Sequence, residues 1–410
     1  MSEPKKSYFP ADFFWGAATS SYQVEGDNIN SDWWEWEQRL NLKEKSGQAT
    51  RHYQLYKEDF DLAKALNHNA HRLSIEWSRI EPRDSEFSRT EIEHYVEVIK
   101  YLKGLGIEPI VTLHHFTNPQ WIAQRGGWLD DKTVDYFLRY VAFVINSLGR
   151  DVRYWITINE PNVYVHHSYI IGEWPPQEKS FSKARRALKN IIKAHVRSYR
   201  LIKKFYKDNN LACPQISIAQ NMQAFVPCTG SLLNRISAMI RSWLYDYYIL
   251  NQLARKHSLD FIGINYYSRT LVDVASWRIK NIMFDECSRA HHPLRKNSLG
   301  WDIYPQGLYD ILLGLKRYGL KIFIMENGIC TDDDNLRWDF IKEHLLKISS
   351  AIKSGCQILG YIYWSLIDNY EWDKGFSPRF GLIDVDYATY KRTVRQSAKN
   401  FALVCQKGEV

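Results

Sequence analysis

No apolar run in this 410-residue chain approaches the roughly 18 residues that a membrane-spanning helix needs. The N-terminal region also lacks the apolar core of a secretion signal. Both absences point to a cytoplasmic protein without a membrane among its partners. The six cysteines, Cys213, Cys228, Cys287, Cys330, Cys356 and Cys405, show neither paired nor metal-type spacing, so reduced thiols are expected. There is no His-Glu-x-x-His and no run of closely spaced aspartates. Adjacent His114 and His115 point to opposite faces of a strand and cannot easily share one ion; one is expected to line a pocket while the other packs outside. No glycine-rich phosphate loop follows a candidate strand, and no serine elbow stands out. These gaps leave no place for a metal or cofactor, and none is expected. Linker-like and low-complexity stretches are missing too.

The net charge of +8 is modest and spread along the chain. Its densest basic run, 183–207, reads as the solvated side of a helix whose other side carries Ala184, Ala187, Ile191, His195 and Ile202. A nucleic-acid partner is therefore not expected. Aromatics make up 14% of the chain, and many fall in polar, glycine-containing stretches rather than inside apolar runs. Placed that way, they are either core filler or flat platforms for a ligand.

Eight strand candidates alternate with helical patterns: 14–26, 70–80, 109–116, 154–160, 215–220, 259–268, 322–327 and 358–366. Helices are predicted at about 53–67, 183–207, 244–253 and 392–404, among others. Eight such units in one unbroken chain predict an α/β fold, a single (β/α)₈ TIM barrel over residues 1–410, with reactive groups at the C-terminal ends of the strands. An open doubly wound sheet is the alternative, disfavoured by the missing phosphate loop.

The strand ends are nearly all polar or aromatic: Gln23, Arg72, His115, Asn159, Glu160, Gln220 with Asn221, Asn265 with Tyr267, Glu326 and Trp364. A structural network would leave such residues, but a nearly complete ring of them fits a ligand pocket better, because unpaired buried polar groups are costly. Amides, a histidine, carboxyls and an indole suit a hydroxyl-rich ligand. Two carboxyls without a cofactor suit glycosidic bond hydrolysis.

Three stretches then carry a resemblance: Thr157-Ile158-Asn159-Glu160-Pro161, Met325-Glu326-Asn327-Gly328, and Trp364 to Trp372. With them the chain resembles glycoside hydrolase family 1, the β-glucosidase family of retaining enzymes, over essentially its whole length. The resemblance implies a retaining exo-β-glycosidase acting on small β-glucosides, and on β-galactosides and β-fucosides as well. Glu160 would be general acid/base and Glu326 nucleophile. Gln23, His115, Asn159, Tyr267, Trp364, Glu371, Trp372 and Phe380 would hold the sugar, and Arg72, Asn265 and Tyr267 would support the nucleophile. Arg72 and Tyr267 should favour ionised Glu326, leaving Glu160 to carry the proton. Phe116, Asn162 and a short 234–259 segment depart from the family pattern at the rim. Trp33, Trp34 and Trp36 would form either an entrance platform or a loop anchor. A catalytically dead sugar-binding protein on the same barrel is the rival reading, and retention of both glutamates speaks against it.

Overall fold

Two of the strands show why this sequence folds as it does. Tyr154–Asn159 and Ile322–Asn327 are buried along their full length, as expected of parallel strands covered on both faces. The structure is a computed structural model that describes residues 8–287 and 294–410. Eight parallel strands close into a barrel in chain order: β1 (Phe14–Ala18), β2 (Ala70–Ser74), β3 (Glu108–Thr112), β4 (Tyr154–Asn159), β5 (Gln215–Pro227), β6 (Ile262–Val272), β7 (Ile322–Asn327) and β8 (Ile358–Trp364). Closure is made by β1 on β8, with Ala17 opposite Tyr363. The eightfold alternation is thus borne out. Inside the barrel Ile110, Tyr154, Ile156, Phe261, Phe323 and Met325 pack together. A larger apolar layer lies between strands and helices.

Glycine is obligatory where β7 and β8 leave the barrel. A Cβ on Gly328 would lie 1.8 Å from the Trp364 carbonyl oxygen. That close approach draws the Glu326 turn against the end of β8.

Several boundaries differ from the sequence reading. The 14–26 stretch is strand only to Ala18; Ser21–Val24 is a turn of helix, with the Ser21 N–H and hydroxyl both bonded to the Ser74 hydroxyl. Gln23 therefore sits on a helix rather than at a strand end. The 70–80 stretch divides likewise, because the Glu76 carboxylate accepts the Ser78 N–H and starts the helical turn Trp77–Ile80. Strands β5 and β6 run far past their expected ends and pair as far as Pro227 and Val272, a ribbon standing beyond the barrel mouth. Arg392–Val394 is not helical but pairs antiparallel with Ile383–Val385.

The ribbon also corrects the cysteine reading. The Cys228 N–H donates to Val272 O and the Cys287 N–H to Leu271 O, bringing the two sulfurs into a disulfide. They are 59 residues apart in sequence, so spacing could not reveal them. Cys213, Cys330, Cys356 and Cys405 remain free thiols. No described helix is long and apolar enough to cross a membrane.

Candidate active site

The mouth of the barrel is assembled around Arg72, fully buried on β2. Its Nε donates to the Thr112 hydroxyl at 3.0 Å, one terminal nitrogen to Glu326 Oε1 at 2.5 Å, and the other to Asn159 Oδ1 at 2.6 Å. One guanidinium thus ties the ends of β2, β3, β4 and β7 together. The second Glu326 oxygen accepts the Tyr267 hydroxyl at 2.6 Å. Both carboxylate oxygens of Glu326 are held.

Glu160 follows β4 with φ +40°, in the left-handed region. That conformation costs a residue with a side chain about 1–2 kcal/mol. Phe116 and Trp372 share it, with φ +72° and +52°. The Glu160 N–H bonds Ala219 O at 2.7 Å. Its Oε1 accepts both Asn221 Nδ2 at 2.7 Å and Asn265 Nδ2 at 2.8 Å. Among the described residues no donor bonds its Oε2, so one oxygen is anchored and the other is not.

Burial pushes the Glu160 carboxyl up to about 8, aided by the negative charge of Glu326 and opposed by Asn221, Asn265 and Arg72. Burial also raises Glu326, while the Arg72 charge, the Tyr267 hydrogen bond and Asn265 pull it down. Arg72 and Tyr267 act in the direction the sequence suggested, but desolvation outweighs them. Glu371 rises to about 8 through burial and through the charges of Glu326, Asp373 and Glu160.

Beside the carboxyls stands a wall with unfilled hydrogen-bonding positions. Gln23 Nε2 donates to Asn369 Oδ1, Tyr370 O and Glu371 Oε2, while its Oε1 has no partner. His115 Nε2 lies 3.1 Å from Asn159 Nδ2 and must accept that amide hydrogen. Burial and the Arg72 charge hold the ring neutral, so Nδ1 carries a hydrogen, and it too is unpartnered. Asn265 Oδ1 is a third buried orphan. A free acceptor, a free donor and a second acceptor match hydroxyl groups, which both give and receive. Trp364 and Trp372 stack near the His115 ring, at 5.9 and 6.1 Å. Phe380 meets Tyr267 edge-on at 6.3 Å.

The structure therefore gathers Gln23, Arg72, His115, Asn159, Glu160, Asn265, Tyr267, Glu326, Trp364, Glu371, Trp372 and Phe380 around one mouth. Asn265, grouped by sequence with the nucleophile, lowers the Glu326 carboxyl but also donates to Asn159 and Glu160, so it acts on both carboxyls. His114 turns away to Asn118, as expected for one of the histidine pair. Trp33 and Trp36 are buried and Trp34 half-buried. Trp33 packs 4.7 Å from Trp372, so it anchors the wall instead of forming an entrance platform.

Sequence reasoning passed over Asn221 as a site residue, and Tyr245 altogether. The Tyr245 hydroxyl bonds Asn221 Oδ1 at 3.2 Å. Only the long β5 and the π-helical turn Trp243–Tyr247 bring them to Glu160. Asn162, a departure at the rim, donates to the Asn221 and Tyr245 carbonyls and holds that turn in place. Trp301, 5.9 Å from Tyr267, was equally silent in the sequence.

The model of glycosyl hydrolase family 1 matches residues 5–255 and 246–410. Beta-glucosidase A of Thermotoga maritima is 31% identical over 95% of this chain and 96% of its own length. The beta-galactosidase of Saccharolobus solfataricus is 31% identical over 98% and 96%. The solved beta-glycosidase from Pyrococcus horikoshii superposes with a TM-score of 0.93 at 37% identity, covering 99% of this chain and 96% of that one. The family 1 β-glucosidase of Thermotoga maritima in complex with isofagomine lactam superposes at 0.91 with 29% identity, over 99% and 100%. The fold, the paired carboxyls and these matches together make the chain a glycoside hydrolase, a member of glycosyl hydrolase family 1.

Proposed function

We propose that the chain is a retaining exo-β-glycosidase that removes single sugars from β-glucosides and related β-glycosides by double displacement. The observation that carries this reading is the unequal support of the two carboxyls. Glu326 has a cation on one oxygen and a phenol on the other. Glu160 has two neutral amides on one oxygen and none on the other. When two buried carboxyls share a proton, it rests on the one whose negative charge is less well supported, here Glu160.

Ionised Glu326 attacks the anomeric carbon, and Glu160 delivers its proton from the unanchored oxygen to the departing glycosidic oxygen. Attack converts Glu326 to an ester and removes its charge. That charge is one cause of the raised Glu160 carboxyl, so Glu160, its proton given up, now stays ionised. It draws a proton from a water whose oxygen attacks the anomeric carbon, breaking the ester and freeing Glu326 as a carboxylate. A retaining geometry requires carboxyl groups about 5–5.5 Å apart. Asn159 is held by Arg72 and Asn265 and positioned for the sugar 2-hydroxyl. Glu371 favours an unphosphorylated sugar: burial and the charges of Glu326, Asp373 and Glu160 already push its carboxyl up to about 8, and a phosphate would add further negative charge to that buried cluster. Relatives named for β-glucoside and β-galactoside hydrolysis support both substrate classes.

Hydrolysis of aryl β-glucoside, β-galactoside and β-fucoside by the wild type and by Glu326→Ala tests the reading. The wild type should cleave at least the glucoside, with the β-anomer released first by NMR. Inactivity on all three substrates, or release of the α-anomer first, would sink it.

A further inference from the structure

Beside the mouth the protein turns an apolar face to solvent. In the helix Leu232–Ser242 the inward positions are Asn234, Ser237, Ala238 and Arg241, spaced as one face. Their polar groups are bonded inside: Asn234 accepts the Val274 N–H, Ser237 donates to Ile282 O, and Arg241 donates to Ile282, Asn281 and Asp285 carbonyls. The outward positions are Leu232, Met239 and Ile240, continued by Trp243. This is the reverse of a core-packed helix. Next to it Ile279–Phe284 buries none of its residues. Met239 is 71% exposed, Trp277 62% and Ile279 81%. Scattered exposed apolar residues are ordinary, but a contiguous face built on two adjoining helices is not.

Charge indicates what covers it. Arg235, Arg278 and Lys280 are exposed among these apolar side chains. Of the nearby acids, Asp273 accepts from Asn234 and Asp285 from Asn281, and the charges of Asp285 and Glu286 act on buried Arg241. A second copy meeting this face across a two-fold axis would bring the same three-cation patch from each copy together. Apolar side chains edged by tryptophan and interspersed with Lys and Arg match a lipid–water interface.

We propose that the platform made by Leu232–Ser242, Trp243 and 277–284 docks the enzyme on an anionic lipid bilayer. The Trp243 and Trp277 indoles sit at headgroup level, and Met239, Ile240 and Ile279 reach the acyl boundary. A membrane span would need one long apolar run; this platform gathers short separate segments, so the sequence carries no such trace. Docking would bring the bilayer within one turn of the catalytic site, because Trp243 begins the turn whose Tyr245 bonds Asn221 beside Glu160.

Flotation with vesicles of phosphatidylcholine and phosphatidylglycerol in equal parts, and of phosphatidylcholine alone, tests this. Wild type should float with the anionic vesicles, and Met239→Glu/Ile279→Glu should bind at least about tenfold more weakly. Arg278→Gln/Lys280→Gln should lose about fivefold per charge removed, and this pair keeps the test valid should the glutamate pair misfold by circular dichroism. No flotation of wild type, or equal flotation of both variants, overturns the proposal. So does a dimer in sedimentation velocity that the same variants disperse while vesicles bind nothing, which would assign the face to a second copy.

Discussion

The ends of β4 and β7 each present a buried glutamate, yet the two are built differently. Glu326 is the last side chain but one of its strand, at a point where the register with both neighbouring strands shifts, and it is clamped by Arg72 and Tyr267. Glu160 lies just beyond its strand with a left-handed backbone, tethered by amides through one oxygen only. The difference teaches that position in the fold does not by itself assign chemistry. Two carboxyls at strand ends of one barrel are pushed apart in proton affinity by the groups that meet their oxygens, and the proposed roles rest on that difference.

The comparison can be broken most severely at its charged half. Glu326→Ala should lower kcat on aryl β-glucosides by about 10⁵-fold, since no other described side chain replaces a clamped carboxylate. Glu160→Ala should cost about 10²–10⁴-fold with poorly leaving aglycones and much less with activated phenols, where acid assistance matters little. A series of aryl glucosides of graded acidity checks this: equal losses across the series would remove Glu160 from the acid role.

The pH profile sharpens the same contrast. The proposed mechanism needs ionised Glu326 and protonated Glu160, so it predicts that kcat/KM is bell-shaped and falls as pH rises through about 8, where Glu160 loses its proton. Tyr267→Phe removes a group that lowers Glu326, so the acidic limb should move to higher pH and the bell should narrow. Asn221→Leu removes a group that lowers Glu160, so the alkaline limb should move up instead and the bell should widen. Profiles in which both variants move the same limb would contradict the assignment.

The smallest effect is on stability. Glu160 has a folded-state value above its usual one, so the stability it contributes is fully present below the unfolded value, near 4.5, and is lost as pH rises through about 8. Glu160→Gln should therefore melt above the wild type by a few °C at pH 9, and the gap should close toward acid pH. Scanning calorimetry at both pH values reads it.

Much of this site was legible in the sequence. The apolar runs Tyr154–Asn159 and Ile322–Asn327 are stopped by Pro161 and Gly328, which betrays strand ends carrying glutamates. The eightfold alternation then explains why they share a mouth. Residues whose position depends on local backbone detail were harder to see. Gln23 reaches the site from a helical turn made by serine hydrogen bonds. Asn221 and Tyr245 reach it because β5 overruns the barrel and a π-helical turn folds back. Cys228 and Cys287 meet only through that ribbon. Burial was the other hidden quantity. Arg72 and Tyr267 could be read as favouring charge on Glu326, but the desolvation that outweighs them belongs to the closed barrel and not to any motif.

The unequal pair is tested most directly by trapping. A 2-deoxy-2-fluoro-β-glucoside with an activated leaving group slows both steps by withdrawing electrons from the developing cation, so an ester on the attacking carboxylate accumulates. Peptide mapping by mass spectrometry should find one fluoroglycosyl group per chain, on the peptide carrying Glu326. A label on Glu160, or inactivation without any label, would contradict the account.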